Sequence, residues 1–592
     1  MKSANLYSSP SKAWYKENFR RFWVLPLIEF LALFLVNILP IMLNYGRFEC
    51  IYDYASTSLW GYNIANIVLL CSMAIVVSTA VFSYIHGVAS ATIVHSMPIT
   101  RRELFRGSFF SGLVMLIIPL ILTGILFLCM SGAHISADAL KTICGTSEYN
   151  IITIKAICIW VFESSVIVAF VYTMANLAGI LAGSRLIHVL LALFINGLPF
   201  VLLEIFYLYE DNFFFGYPED ESPFAFSFVS PVPYMASKFG RPEIAELYPH
   251  LIYIAVIIAV TLFTSWLYTR IKLERERNAC VFPAVADIIC VLLTFICMSL
   301  LGLLIASSVS DIDNGLIQRI PFIIVCIASS VFIYMICRMI ADGTTKIFSK
   351  VNLKKFGIYV IVVAVFFAFT LFDITGYQQR VPEASKVASV TLETNYAVQP
   401  SIDLKSGKSI DSIISLQKAL LSEYKNQGFG QVSSDDLTIR YQLKNGRTLS
   451  RSYSLPVYNG KHGNIKTTEA FKNIFNSAEF SRANLYNTSA SAIKSIAELK
   501  FTNTYSKNKD YEESEETVIA SKDYYGLLKA MNKDILTMDF NDFSTIVNND
   551  YDYPSVDLRL NSRKSMDESS FYLNKSTKNT IKYLKATGYW EQ

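Results

Sequence analysis

Nine stretches of this chain are dominated by apolar side chains, near residues 22–43, 64–84, 108–130, 155–181, 186–207, 250–269, 283–307, 320–340 and 356–372. A helix that crosses the ~30 Å hydrocarbon core of a bilayer needs about 20 such residues. No water reaches that layer, so every crossing backbone N–H and C=O must be bonded within a helix or a closed barrel. Runs of this length predict a polytopic α-helical membrane protein with about nine transmembrane helices. The fifth run is interrupted by Asn196-Gly197-Leu198-Pro199, and the ninth is short.

The apolar runs stop near residue 372, and the remainder of the chain is rich in Lys, Asn, Ser and Tyr. Charged residues make up 17% of the whole, against about 25% in a soluble protein, and the average conceals this division. The reading is a cytoplasmic amphipathic interface helix over 1–21, a transmembrane domain over 22–372 and a C-terminal α+β extracytoplasmic domain over 373–592. All ten cysteines lie between Cys50 and Cys337, so the last domain is not a disulfide-built scaffold. Their spacing matches neither a zinc site nor a CxxC redox pair, and no metal is expected. The opening MKSANLYSSPSKAWYKENFRR is too polar and too long for a cleaved signal peptide, so the first run is expected to stay as an anchor.

Lysine and arginine set the expected orientation. With the N-terminus inside, the inner segments hold eighteen of them, among them Arg20, Arg21, Arg101, Arg102, Arg106, Arg185, Arg338, Lys350 and Lys354. The outer loops hold six: Arg47, Lys141, Lys155, Lys238, Arg241 and Arg319. Nine crossings then leave residues 373–592 outside the cell.

In that domain, DLTIRYQLKNGRTLSRSYSL (436–455) alternates on both sides of Asn445-Gly446, which predicts a β-hairpin closed by a two-residue turn. Upstream, Ile410, Ile413, Ile414, Leu416, Leu420 and Leu421 share one helical face, with Gly428 just past its end. An order of strand, helix, strand pair and helix recurs from about 494, which raises a duplicated module as one reading. KSGKSI (405–410) copies the end of a phosphate loop, but Ile402 stands where the loop needs its first glycine. A strand-to-helix turn is expected there, and GFGQVS (428–433) likewise lacks a third glycine. The chain shows no ATP-binding motif of its own.

The segment ATIVHSMPITRRELFRG (91–107) falls between the second and third runs. Thr100 and Glu103 form a T-x-x-E capping box, and Pro98 disfavours helix at Met97. A short surface helix near Ala89–Ser96 is therefore expected to turn at Met97–Ile99 and re-enter as the third span. Its arginines belong at the boundary, because burying one costs about 2.5–3.5 kcal/mol. The plain reading is a basic flank with a helix cap.

A sharper reading comes from resemblance. HSMPITRRELFRG resembles the segment after the second span of bacterial ABC transporter permeases, in the exporter class with a short intracellular coupling helix. SKAWYKENFRRFW resembles the surface helix that opens such permeases. YQLKNGR and NTIKYLKATGY resemble a Gram-positive branch with a C-terminal extracellular domain. That class has six spans per subunit, so its substrate route is not carried over to nine. The resemblance implies a coupling contact made by Ser90, Thr92, His95, Met97, Pro98, Thr100, Arg101, Arg102 and Glu103. It also implies partner ABC ATPase subunits that carry ATP and Mg, and a second permease in a homodimer or heterodimer. Membrane lipid is the other partner, and no nucleic acid is expected. In this reading the chain is not an enzyme.

Acids inside spans are rare and are usually paired or functional. Glu29, Glu163 and Glu204 are candidates for a substrate path, with structural pairing as the plain reading. Glu29 is expected to reach Arg20, Arg21 or Lys16, and Asp287 to neighbour Arg275 or Arg277. The aromatic loop YEDNFFFGYPEDESPFAFSF (209–228) suits an interfacial belt or an amphiphilic substrate. The expected function is ATP-driven export of, or defence against, amphiphilic compounds such as antimicrobial peptides or lipid-linked molecules. ATP-driven mechanical work on an external partner and a receptor with an external ligand domain are the alternatives. An intramembrane protease is disfavoured, since no HExxH is present.

Overall fold

The structure is a computed structural model. It describes residues 10–44, 54–55, 57–59, 64–130, 152–218, 229–237, 247–270, 281–308, 315–345, 348–370, 376–394, 396–399, 401–427, 435–455, 465–494, 496–508, 511–538, 540, 555–560 and 568–590. The chain divides into two compact units. One, helical, comprises Met1–Tyr209, Glu221–Ile305 and Pro321–Phe366, and the other comprises Glu210–Asp220, Ala306–Ile320 and Phe367–Gln592.

The helical unit begins with α1 (Pro10–Phe22) and α2 (Val24–Leu43). Pro40 offers α2 no N–H, and the helix widens to a π-turn over Phe34–Ile38 just before it. That turn contains Asn37, whose amide exchanges hydrogen bonds with Asn66 of α3 (Ile64–Val81). Next come α4 (Val88–His95), α5 (Arg101–Met130), α6 (Ile154–Leu181), α7 (Arg185–Phe213) and the short α8 (Pro231–Ser237). The series ends with α9 (Leu247–Tyr268), α10 (Pro283–Ser308), α11 (Gly315–Asp342) and α12 (Lys350–Thr370). Among the described residues, nine helices are long and apolar enough to cross a membrane.

Helix α5 starts at Arg101, as the Thr100–Glu103 box predicts, ahead of the apolar run that begins near 108. Helix α7 does not break at Asn196-Gly197-Leu198-Pro199. Asn196 Nδ2 donates to the Ala192 carbonyl, one turn earlier in the same helix, at 2.9 Å.

Packing between these helices uses small residues for close approach. A Cβ on Gly112 of α5 would overlap the Tyr172 hydroxyl of α6. With that space open, Tyr172 donates to the Phe109 carbonyl at 3.2 Å. Large apolar side chains also cover the outside of the unit, including Leu262, Phe332 and Ile361.

The second unit holds two four-stranded antiparallel sheets. In the first, β1 (Val387–Thr394), β2 (Ile402–Leu404), β3 (Asp435–Leu443) and β4 (Thr448–Leu455) lie in the order β2-β1-β3-β4. Helix α13 (Gly407–Gln427) connects β2 to β3, and α14 (Ile465–Phe475) and α15 (Ala478–Ala483) follow β4. In the second, β5 (Ile496–Asn508), β6 (Tyr511–Val518), β7 (Ser555–Leu560) and β8 (Glu568–Tyr572) take the order β6-β5-β7-β8. Helix α16 (Tyr524–Thr537) lies between β6 and β7, and α17 (Lys578–Ala586) follows β8. The two halves thus share one connectivity, with a strand pair before each central helix where a single strand was expected.

The hairpin of β3 and β4 forms as expected, but its loop has three residues, not two. Gly446 N–H donates to the Leu443 carbonyl at 2.9 Å and Gly446 has φ +82°. This is a type I turn followed by a left-handed glycine, the usual three-residue hairpin. On α13, Ile410, Ile413, Ile414, Leu416 and Leu420 are buried and Leu421 is half-buried. Gly428 and the GFGQVS segment lie outside the described residues.

The amino end of α13 is already occupied. Glu479 of α15 accepts from the amides of Lys405 (2.7 Å) and Ser406 (3.0 Å) and from the Ser409 hydroxyl (2.6 Å). The KSGKS turn binds the chain's own carboxylate where a phosphate loop would bind phosphate. Partial burial would push Glu479 upward, but these hydrogen bonds outweigh it and hold its pKa at about 2. The second half uses the same device, with buried Asp534 of α16 accepting from backbone and side chain of Asn579 and Thr580 at the start of α17.

Candidate functional site

The elbow between α3 and α5 is built from three short pieces. A 3-10 turn, Ser83–His86, leads to Gly87, then to α4, and then to a bend over Met97–Ile99. The capping box closes as its spacing requires. Glu103 Oε2 accepts from Thr100 N at 3.1 Å, and Thr100 Oγ1 accepts from Glu103 N at 3.3 Å. One helix therefore ends and the next begins within a few residues, which fixes the angle of the elbow.

The inward side of the elbow is wired to other helices. His95 Nδ1 faces the Ala91 carbonyl at 2.8 Å, and a carbonyl can only accept, so Nδ1 carries the proton. His95 Nε2 then accepts from the Tyr268 hydroxyl of α9 at 3.1 Å, and Tyr268 in turn accepts from Tyr84 at 3.1 Å. Burial lowers the pKa of His95, the Ala91 hydrogen bond opposes that, and Arg101 adds to the lowering. The neutral ring is the form that this geometry uses.

Around this chain of bonds lie further links. Trp14 Nε1 and Asn18 Nδ2 of α1 donate to Ser108 and Ser111 of α5, each at 3.0 Å. His86 Nε2 lies 3.2 Å from His188 Nδ1 on α7, and His188 Nε2 bonds the Ala175 carbonyl of α6 at 2.9 Å. The His188 ring packs over Gly179, where a Cβ would overlap it. Surface helix, elbow and α5, α6, α7 and α9 thus share one polar network, on residues 94 to 184 apart in sequence for the Trp14–Ser108 and Tyr84–Tyr268 links.

The nine elbow residues expected to act together divide into two groups. Ser90 donates to the carbonyls of Tyr84 and Gly87, His95 bonds Tyr268, and Arg101 reaches the Thr269 carbonyl at 3.4 Å. These three brace the elbow from within. Thr92, Met97, Pro98, Thr100, Arg102 and Glu103 are exposed. Sequence reading missed Ile93, which is 62% exposed and lies one helical turn from Met97. Ile93 stands between Thr92 and Val94, and no local sequence pattern marks it as exposed.

The acids within the candidate spans take three different settings. Glu29 is fully buried, and neither carboxylate oxygen has a hydrogen-bond partner among the described residues. The expected pairing with Arg20, Arg21 or Lys16 is not formed. Arg20 instead pairs with Glu17 at 3.0 Å on the exposed side of α1, and Arg21 stacks on Phe22. Glu163 of α6 lies 3.6 Å from His250 Nε2 of α9, and both are buried among the rings of Phe162, Tyr234 and Tyr253. His250 was not singled out from sequence. Glu204 is half-buried on α7. Asp287 pairs with Arg338 and Lys355, and its expected neighbours Arg275 and Arg277 lie outside the described residues. In the aromatic loop, residues 219–228 also lie outside them, while Phe214 stacks on Tyr377 and Phe215 packs on Tyr453.

No group of three or more His, Cys, Asp or Glu side chains suited to a metal occurs among the described residues. Comparison with protein-family models, curated proteins and solved structures gives no match to this chain.

Proposed function

We propose that this chain is the membrane-spanning permease subunit of an ATP-binding cassette transporter, and that it takes up work from a separate ATPase at the α4 elbow. Two permeases and two ATPases make the working unit, with ATP and Mg on the ATPases. The N-terminus and elbow face the cytoplasm, residues 373–592 lie outside, and amphiphilic compounds are the cargo.

The observation that carries the reading is the two-sided build of the elbow. Its inner side is hydrogen-bonded to α9 through His95 and Tyr268. Its outer side presents the exposed Ile93 and Met97, and Arg102 and Arg106 are exposed on the first turns of α5. An apolar ridge followed by exposed cations suits a groove on a partner, with buried apolar contact at the centre and charge at the rim. A push on the ridge passes to α5 through the rigid capping box and to α9 through the His95–Tyr268 bond.

Co-purification of the full-length chain tests this. ATPase subunits are expected to accompany it, and Ile93→Asp with Met97→Asp is expected to release them while the chain stays folded. If no nucleotide-hydrolysing subunit accompanies the wild type, or the double variant keeps it, the reading is wrong. Sidedness is tested by an impermeant thiol reagent on Lys418→Cys, an exposed position on α13. Label on peptides from 373–592, which contain no native cysteine, is expected from intact cells, and label there only after lysis reverses the topology.

A further inference from the structure

The last turns of α11 and the first turn of α12 enclose a cavity of about 90 Å³, walled mainly by Val331, Tyr334, Met335, Leu353 and Phe356, with Arg338 at its lining. A single water needs roughly 10–15 Å³ and two to four polar partners. These walls offer few, so the interior suits hydrocarbon better than water. Phe348, which also lines it, is 88% exposed, and Leu353 is largely exposed too. The mouth is therefore apolar as well.

The charges beside the cavity do not all offset one another. Buried Arg338 bonds Asp287 through Nη1, and Asp342 (2.7 Å) and Asn352 (3.1 Å) through Nη2. Lys355 Nζ reaches both oxygens of Asp287 at 2.7 Å. These two cations and two carboxylates form a neutral set. Lys350 and Lys354 remain, exposed on the first turns of α12 and in no ion pair among the described residues. The Arg338 Nε–H is buried and has no hydrogen-bond partner among them. Ser349 Oγ accepts from Asn352 N at 3.1 Å, which leaves the amides before it at the helix start open to an anion.

We propose that this is a binding site for an anionic phospholipid. One acyl chain enters the cavity, the Arg338 Nε–H donates to a glycerol ester oxygen, and the headgroup phosphate sits at the start of α12 between Lys350 and Lys354. A phospholipid supplies at one place what the site lacks, namely a hydrocarbon filler, an acceptor for a buried donor and an anion for two unpaired cations. The site lies where two candidate spans end, which is the depth of a headgroup. It requires only that α11 and α12 lie in a bilayer and is independent of ATPase docking.

The test uses the full-length chain in mild detergent, offered phosphatidylglycerol, phosphatidylcholine with the same acyl chains, or inorganic phosphate, with retention read by native mass spectrometry. Phosphatidylglycerol is expected to be retained in preference to phosphatidylcholine by roughly tenfold or more, given about 1 kcal/mol per lysine near an anionic surface. Lys350→Glu with Lys354→Glu is expected to erase that preference, and Val331→Trp to fill the cavity and abolish retention. Equal retention of the two lipids, an undiminished preference in the lysine variant, or retention by a folded Val331→Trp overturns the proposal. So does full displacement of the lipid by inorganic phosphate, which marks a free-anion site. Should Val331→Trp fail to fold, the lysine variant still decides, since both positions are on the surface.

Discussion

The helical unit and the α+β unit differ in how they bond most of their inner polar groups. In the α+β unit, two carboxylates close the starts of helices. Asp534 accepts four hydrogen bonds at the start of α17, and Glu479 closes the start of α13. In the helical unit the polar links are mostly neutral: Asn37 with Asn66, Tyr84 with Tyr268, Trp14 with Ser108. The surfaces differ in the same sense, since large apolar side chains crowd the outside of the helices and are sparse on the α+β unit. A region bathed in water can recover the cost of desolvating a charge by giving it many donors. In the helical unit the links named here use small neutral groups and close backbone approach, while its charged groups are Glu29, the Glu163–His250 pair and the set of Arg338, Asp287, Asp342 and Lys355.

That contrast can be broken most readily at Asp534. Asp534→Ala strips four donors of their acceptor in a buried site, and the α+β unit is expected to lose about 3 kcal/mol. Hydrogen exchange on the full-length chain reads this, and exchange in α2 to α12 is expected to stay unchanged. In the helical unit the sensitive quantity is space. Gly112→Ala pushes a Cβ into the Tyr172 hydroxyl, and overpacking of this kind costs about 1–3 kcal/mol, visible as a lower thermal midpoint in detergent.

Glu479 sharpens the comparison through pH. Its pKa lies below the ordinary value of 4.5, at about 2, so the folded state binds its proton less readily than the unfolded chain does. The stabilisation is complete above pH ~4.5 and fades as pH falls toward 2. Glu479→Gln is expected to flatten that loss and to cost about 1 kcal/mol at neutral pH, after allowance for solvent screening. The smallest effect belongs to Asn37→Leu combined with Asn66→Leu, which removes both partners and leaves no buried amide unpaired. A neutral interhelical pair is worth about 0.6 kcal/mol, and a measured loss above about 2 kcal/mol would show that the helical unit also depends on buried polar bonding.

Some of this was legible in the sequence and the rest was not, for a physical reason. Apolar runs near 20 residues announce the candidate spans because length and hydropathy are local, and so are the Thr100–Glu103 box and the alternation around Gly446. The His95–Tyr268 bond and the Glu163–His250 pair join residues 173 and 87 apart, and no local pattern encodes them. The resemblance implies a contact role for Ser90 and Arg101, whereas their side chains bond the carbonyls of Tyr84, Gly87 and Thr269. Proximity in sequence pairs Glu29 with the nearest arginines, yet α1 directs Arg20 toward solvent. In each case helix geometry, not sequence distance, decides the contact.

The proposed function makes the elbow the place where work enters this molecule. A photoreactive residue at Ile93, activated in intact membranes of the native host, tests that most directly. The expected result is an adduct with a nucleotide-hydrolysing subunit that lies on the cytoplasmic side. An adduct with no such subunit, or an Ile93 that impermeant reagents reach from outside the cell, would contradict it.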